Sequence, residues 1–104
     1  FCPETSRFLE IRNPARGSLL GRVPDCSSSE INAAVASAKK AQPHWERVPG
    51  VEKAKILREI GARIRKREHE LSHLLTQESG KPLCESVDCI DWVAACFEYY
   101  SEVG

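Results

Sequence analysis

The sequence predicts a mostly α-helical chain that opens with a β-hairpin. Three observations carry this. Apolar and polar residues alternate before an Asn13-Pro14-Ala15-Arg16-Gly17 turn, and a second short strand closed by Pro24 follows it. From a serine-rich start at Ser27, apolar residues recur at helical spacing almost to the end. That periodic stretch is punctuated at Glu78-Ser79-Gly80-Lys81-Pro82, where glycine can stop one helix and proline can start the next. The predicted elements are a hairpin over about 8–24 and helices over about 28–41, 51–66, 69–78 and 83–103.

The first strand is F-L-E-I-R-N from Phe8, and the second runs from Leu19 to Pro24. Asn13 precedes a proline and is pushed out of the helical region, while Gly17 can supply a positive φ. A lone two-stranded hairpin is marginal in water, so it must lean on something. Ser27 with Glu30 three residues later makes a capping box, worth about 1 kcal/mol. Ile31, Ala34, Val35, Ala38 and Ala41 then share one small-residue face suited to close packing, and Pro43 is expected to end that helix.

The next helix follows Pro49 and Gly50. Its stripe is Leu57, Ile60, Gly61 and Ile64, and its other face is basic, from Lys53 to Lys66. Glu59 and Arg63 form a favourable pair one turn apart. The run Arg63-Ile64-Arg65-Lys66-Arg67 reads as a solvated helix face rather than a nucleic-acid patch, because Ile64 interrupts it and acidic residues follow. Arg67-Glu68-His69-Glu70 holds no apolar anchor, so a break is expected near His69. His69 and His73 have metal-ligand spacing but lack a third ligand and read as exposed structural residues. The last helix is apolar over an unusually wide arc. Leu83, Val87, Ile90, Ala94 and Phe97 make one stripe, and Cys89, Trp92, Cys96, Tyr99 and Val103 a second. Asp88, Asp91, Glu98 and Glu102 leave only a narrow acidic face. Such a helix needs cover on more than one side.

With 104 residues there is room for one small domain, and 15 basic residues balance 15 acidic ones. That balance gives no global field for nucleic acid or an anionic membrane. No apolar run is long enough to span a bilayer, and the N-terminus lacks the pattern of a signal peptide. The chain has no Met, which suggests that it begins inside a longer protein. Five cysteines (Cys2, Cys26, Cys84, Cys89, Cys96) without a C-x-x-C pair read as reduced, mostly buried thiols in an intracellular protein. The expected compartment is the cytoplasm, or an organelle matrix if a transit peptide has been removed. No residue set here suggests a reaction carried out by this chain alone.

The order of motifs resembles the aldehyde dehydrogenase superfamily. The residues that carry it are Asn13-Pro14-Ala15-Arg16-Gly17, Ser27-Ser28-Ser29-Glu30-Ile31, Pro43-His44-Trp45, Lys55-Ile56-Leu57, Glu78-Ser79-Gly80-Lys81-Pro82 and Phe97-Glu98-Tyr99-Tyr100. Each piece is weak alone, and in this order they are specific. Arg16 and Ser18 depart from the family's usual Thr and Glu. The resemblance implies the leading helical segment of an α/β Rossmann-like fold: the N-terminal part of a cofactor-binding domain, with catalytic and oligomerisation domains outside it.

It also implies an intact enzyme that oxidises an aldehyde to a carboxylic acid with NAD or NADP, as a dimer or tetramer. The betaine-aldehyde and aminoaldehyde branch is the most similar. None of the cysteines stands in the family's G-Q-x-C context, and no nucleotide-binding glycine turn occurs, so the resemblance assigns no catalytic or cofactor-binding residue to this chain. This segment alone is expected to bind no cofactor and to be inactive.

Two site expectations follow from the resemblance. Ile11, through its carbonyl, and Glu78 would bind a monovalent cation, the alternative being that Glu78 caps or salt-bridges. Trp92, five residues before Phe97, would face the aldehyde tunnel, with ordinary core packing as the alternative. Asp88 and Asp91 beside it suggest a cationic aldehyde, since tryptophan and carboxylate both attract ammonium. The competing reading is a stand-alone truncated, non-catalytic helical module that binds another chain through its exposed apolar helix.

Overall fold

In the computed structural model residues 7–103 are described. Cys2 and the Phe1-Cys2-Pro3-Glu4 start lie outside the described residues. The hairpin forms as expected. Strand β1 (Phe8–Arg12) pairs antiparallel with β2 (Leu19–Pro24), with Phe8 opposite Pro24, Ile11 opposite Gly21 and an irregularity at Ile11/Arg12. The loop is closed by its own residues. The Asn13 side-chain oxygen accepts from the amides of Ala15 (2.9 Å) and Arg16 (3.1 Å), and Gly17 takes φ 68°.

Helix α1 runs Ser28–Arg47. The capping box is present. The Ser27 amide donates to Glu30 Oε2 at 2.8 Å, and the Glu30 amide donates to Ser27 Oγ at 3.4 Å. Pro43 does not end the helix, contrary to expectation; it lies inside it. Proline removes one backbone bond but leaves the turn after it free to form. The stop comes at Val48 and Pro49, where the Val48 amide donates to Trp45 O (3.1 Å) and Lys53 Nζ donates to Glu46 O (3.3 Å). Lys53 Nζ also lies 5.7 Å from the centre of the Trp45 ring.

Helices α2 (Gly50–Lys66) and α3 (Glu68–Ser79) are separated at Arg67, near the break that the missing apolar anchor predicts. Helix α4 (Leu83–Val103) packs along both. The buried positions among the described residues are all small: Gly61, Ser72, Ser86, Ala94 and Ser101. They let helix backbones approach closely. A Cβ added to Gly61 would lie 3.2 Å from the Ala94 carbonyl oxygen and 3.2 Å from Glu98 Cγ. Ser72 and Ser101 satisfy their buried hydroxyls by donating to backbone carbonyls at 2.6 Å, and Ser86 shares a 2.8 Å hydrogen bond with Thr76.

The basic face of α2 is not simply solvated, as the sequence reading expected. Arg65 forks onto Glu98 of α4 (2.6 and 2.9 Å) and also donates to Asp91, while Arg58 reaches Glu102 at 2.7 Å. The α4 acids thus meet the α2 arginines edge to edge. The expected Glu59–Arg63 pair is present at 2.6 Å.

These contacts build a slab, not a ball. The extents are 48 × 37 × 15 Å, so its thickness is close to one helix diameter. The radius of gyration is 17.2 Å, against about 13 Å for a compact domain of this length. Helix α1 has no buried residue, and its expected small-residue face packs nothing tightly.

Candidate functional site

The turn between α3 and α4 positions the first candidate site. Gly80 closes α3 with φ 77°, and its amide donates to Thr76 O at 2.9 Å. A Cβ there would sit 2.8 Å from Pro14 Cγ. Glycine is therefore required twice at this position, by its backbone angle and by the hairpin loop resting on it. That close approach brings β1 to the end of α3. Ile11 and Glu78, far apart in sequence, line one open pocket of about 180 Å³ together with Leu20, Arg22 and Leu74.

Glu78 has no ion pair among the described residues. Arg22 is held by Glu10 at 3.1 Å, and Arg12 holds the same carboxylate at 2.6 Å. Hydrogen bonds from Arg12 and then Arg22 keep Glu10 below the ordinary value of 4.5. The pocket therefore has one uncommitted carboxylate, and its arginine is already neutralised. An oxygen donor of that kind suits a hard cation.

Among the described residues, the Glu78 pocket included, no group of three or more His, Cys, Asp or Glu could hold a metal ion. His69 and His73 lie with ring centres 4.4 Å apart, both exposed.

The second candidate is the outer side of α4. Trp92 is 71 % exposed, and Tyr99 and Val103 are exposed beside it. Ordinary packing within this segment is thereby excluded for Trp92. Of the stripe Cys89, Trp92, Cys96, Tyr99 and Val103, the large residues Trp92, Tyr99 and Val103 are exposed, Cys89 is half-buried and Cys96 borders a pocket with Leu57 of α2, whereas Ala94 and Ser101 face inward. The two candidate carboxylates beside Trp92 differ. Asp91 is bound by Arg65. Asp88 is exposed and has no ion pair among the described residues. Sequence reasoning had not separated them, since the partner lies 26 residues away. The signal that could have done so is phase: Asp91 and Glu98 are two turns apart on one side of the helix.

The described thiols are free, and Cys26, Cys84 and Cys96 are exposed, with only Cys89 half-buried. The expectation of mostly buried thiols is thus corrected, because the buried seam between α2, α3 and α4 is occupied by Gly61, Ser72, Ser86, Ala94 and Ser101 and the described cysteines lie off it. Lys81 Nζ donates to Cys89 Sγ at 3.2 Å.

The profile of the aldehyde dehydrogenase family matches residues 1–104. The chain belongs to the aldehyde dehydrogenase family. It is 42 % identical to Aminoaldehyde dehydrogenase 2 of Zea mays, over 98 % of this chain and 21 % of that one. It is 38 % identical to Betaine aldehyde dehydrogenase 1 of Oryza sativa subsp. japonica, with the same coverage. Its fold superposes on an aldehyde dehydrogenase from Brucella melitensis biovar abortus 2308 with a TM-score of 0.93 and 29 % identity, covering 98 % of this chain and 21 % of that one. A structure of PnpE in complex with nicotinamide adenine dinucleotide gives a TM-score of 0.86 at 29 % identity, over 92 % and 20 %. The chain thus spans about a fifth of the length of the relatives it matches. The mostly helical fold with its leading hairpin is that of the corresponding segment of an aldehyde dehydrogenase.

Proposed function

We propose that residues 1–104 form the leading part of the cofactor-binding domain of an aldehyde dehydrogenase that oxidises an aldehyde to a carboxylic acid with NAD or NADP. The identity of 42 % to an aminoaldehyde dehydrogenase over nearly the whole chain carries this reading. The similarity to a relative named for betaine aldehyde supports an amino- or ammonium-bearing aldehyde as substrate. The open slab supports it physically, because the outer faces of α1 and α4 await cover by the rest of such a chain. A dimer or tetramer is the assembly this reading carries with it.

NAD(P) would accept hydride from the substrate. The nucleophilic thiolate and the carboxylate that activates water belong to residues outside this segment. Within it, three residues would contribute. Trp92 would be an aromatic wall of the aldehyde tunnel. The Ile11 carbonyl and the Glu78 carboxylate would hold a monovalent cation in the pocket below β1, as hard oxygen ligands.

The test is the product of the complete reading frame. Purified and given an aldehyde and NAD or NADP, it is expected to form the reduced nicotinamide. The isolated 104 residues are expected to give none. Turnover by the isolated segment, or its absence from the complete product with every aldehyde tried, would overturn the proposal. A monodisperse segment that unfolds cooperatively would instead favour a stand-alone binding module.

A further inference from the structure

We propose that Lys81 and Cys89 form a reversible redox cross-link, in which peroxide oxidises the Cys89 thiol and the Lys81 amine then closes an S–N bond to it. The inference goes beyond the proposed function and does not depend on it. Lys81 Nζ donates to Cys89 Sγ at 3.2 Å. The turn that brings them together is fixed on both sides of Lys81. Gly80 holds φ 77° against Pro14, and the Pro82 ring sets the next φ. The lysine side chain therefore runs along the first turns of α4 to reach Cys89. Both residues are half-buried. Lys81 is in no ion pair among the described residues, so its nitrogen is committed to the sulfur and not to a carboxylate. The other described thiols differ. Cys26, Cys84 and Cys96 are exposed, and none has a nitrogen on its sulfur among the described residues.

That nitrogen decides the fate of an oxidised sulfur. A sulfenic acid condenses with a neighbouring nitrogen to a sulfenamide, and without one it is oxidised further to sulfinic acid, which thiols do not reduce. At Cys89 the O–O bond of hydrogen peroxide breaks, the sulfur loses an electron pair to it, and S–OH and water result. The Lys81 ammonium then gives a proton to solvent, and its lone pair attacks the sulfur. The S–O bond breaks, and the hydroxyl leaves as water with a second proton from the nitrogen. Rotation within the flexible four-carbon lysine stem is enough to bring nitrogen to bonding distance. A thiol reductant cleaves the S–N bond and restores both side chains. The pair thus guards Cys89 against irreversible oxidation, and under oxidant it ties the α3–α4 turn to α4.

The test treats the complete protein with hydrogen peroxide, alkylates the remaining thiols and cleaves after glutamate. Cuts at Glu78, Glu85 and Glu98 place Lys81 and Cys84 in peptide 79–85, and Cys89 and Cys96 in peptide 86–98. In the wild type these peptides are expected to be joined, lighter than their sum by the hydrogens lost from sulfur and nitrogen. Cys84 and Cys96 should be alkylated, and dithiothreitol should separate the peptides. Cys84→Ser should keep the joined pair, which sets it apart from a disulfide through Cys84. Cys89→Ser should lose it. Lys81→Arg keeps the charge without a nucleophilic amine; it should also lose the joined pair, with Cys89 passing on to sulfinic acid.

A joined pair that persists in Lys81→Arg, or that disappears in Cys84→Ser, overturns the proposal. Wild-type Cys89 recovered only as sulfinic acid or as unreacted thiol, with no joined peptide, overturns it too. The wild-type and Cys84→Ser peptides decide the matter even where a Lys81 variant does not fold. The readout is a mass, so it stands apart from whether the complete protein oxidises any aldehyde.

Discussion

The inner seam between α2, α3 and α4 and the outer stripe of α4 are built from the same helix yet follow opposite rules. The seam is filled by small residues, Gly61, Ser72, Ser86, Ala94 and Ser101, and is edged by Arg65 with its two acids. The outer stripe carries large ones, Trp92, Tyr99 and Val103, which are exposed among the described residues. The difference is one of position: the small residues let the helix backbones approach, half-buried Leu57, Ile60, Ile64 and Phe97 flank them, and the most exposed large residues of α4 lie on its other side.

The strongest challenge to this contrast is a side chain at the seam. Gly61→Leu should force α2 from α4, because its Cβ alone would meet the Ala94 carbonyl and Glu98 Cγ at 3.2 Å. We expect the complete protein to lose about 3 kcal/mol in chemical denaturation, the upper range for overpacking. Gly80→Ala should follow at about 2 kcal/mol, from a strained positive φ and the collision with Pro14. If either variant unfolds at the same denaturant midpoint as wild type, the close approaches described are not real.

A third expectation concerns the ion pairs. The hydrogen bonds from Arg65 hold Glu98 below its ordinary value of 4.5. A carboxylate with a depressed value in the folded state stabilises above its unfolded value and loses that contribution as pH falls through the folded one. The α2–α4 contact should therefore weaken only below about pH 4.5. Arg65→Met should flatten this acid dependence in a thermal-melting series, whereas Arg63→Met on the outer face should not.

The smallest effect tests the other half of the contrast. Ile31→Ser on α1 should shift the stability of the isolated segment by less than about 0.5 kcal/mol, as expected for an exposed site. In the complete protein the same change should cost about 1.5–3 kcal/mol, the value of a fully buried aliphatic side chain. Equal effects in the two settings would mean that α1 stays uncovered.

Much of the secondary structure is legible because its signals are local. The alternating strands, the Ser27 capping box, the break at Arg67 and the Gly80 stop each lie within a few residues of their cause. The exception on α1 is also local, since Pro43 has a strong propensity to break helices and yet is accommodated. The site was legible only in part. Trp92 and the pair Ile11 and Glu78 could be named from a family resemblance, but only the shared phase of Asp91 with Glu98 hints in sequence that Asp91 and Asp88 differ, and the arginine that binds Asp91 lies 26 residues away.

By itself, then, the sequence determined the order and nature of the elements and the family to which they belong, because periodicity, caps and turn residues act over one or two helical turns. The tertiary structure alone decided three further things. It set the Gly80 turn against Pro14, which places Ile11 beside Glu78. It turned the α2 arginines onto the α4 acids, so that Asp91 is occupied and Asp88 is open. It left the aromatic stripe of α4 outside the seam. Each depends on which helix faces which, and that is fixed by where backbones can approach most closely.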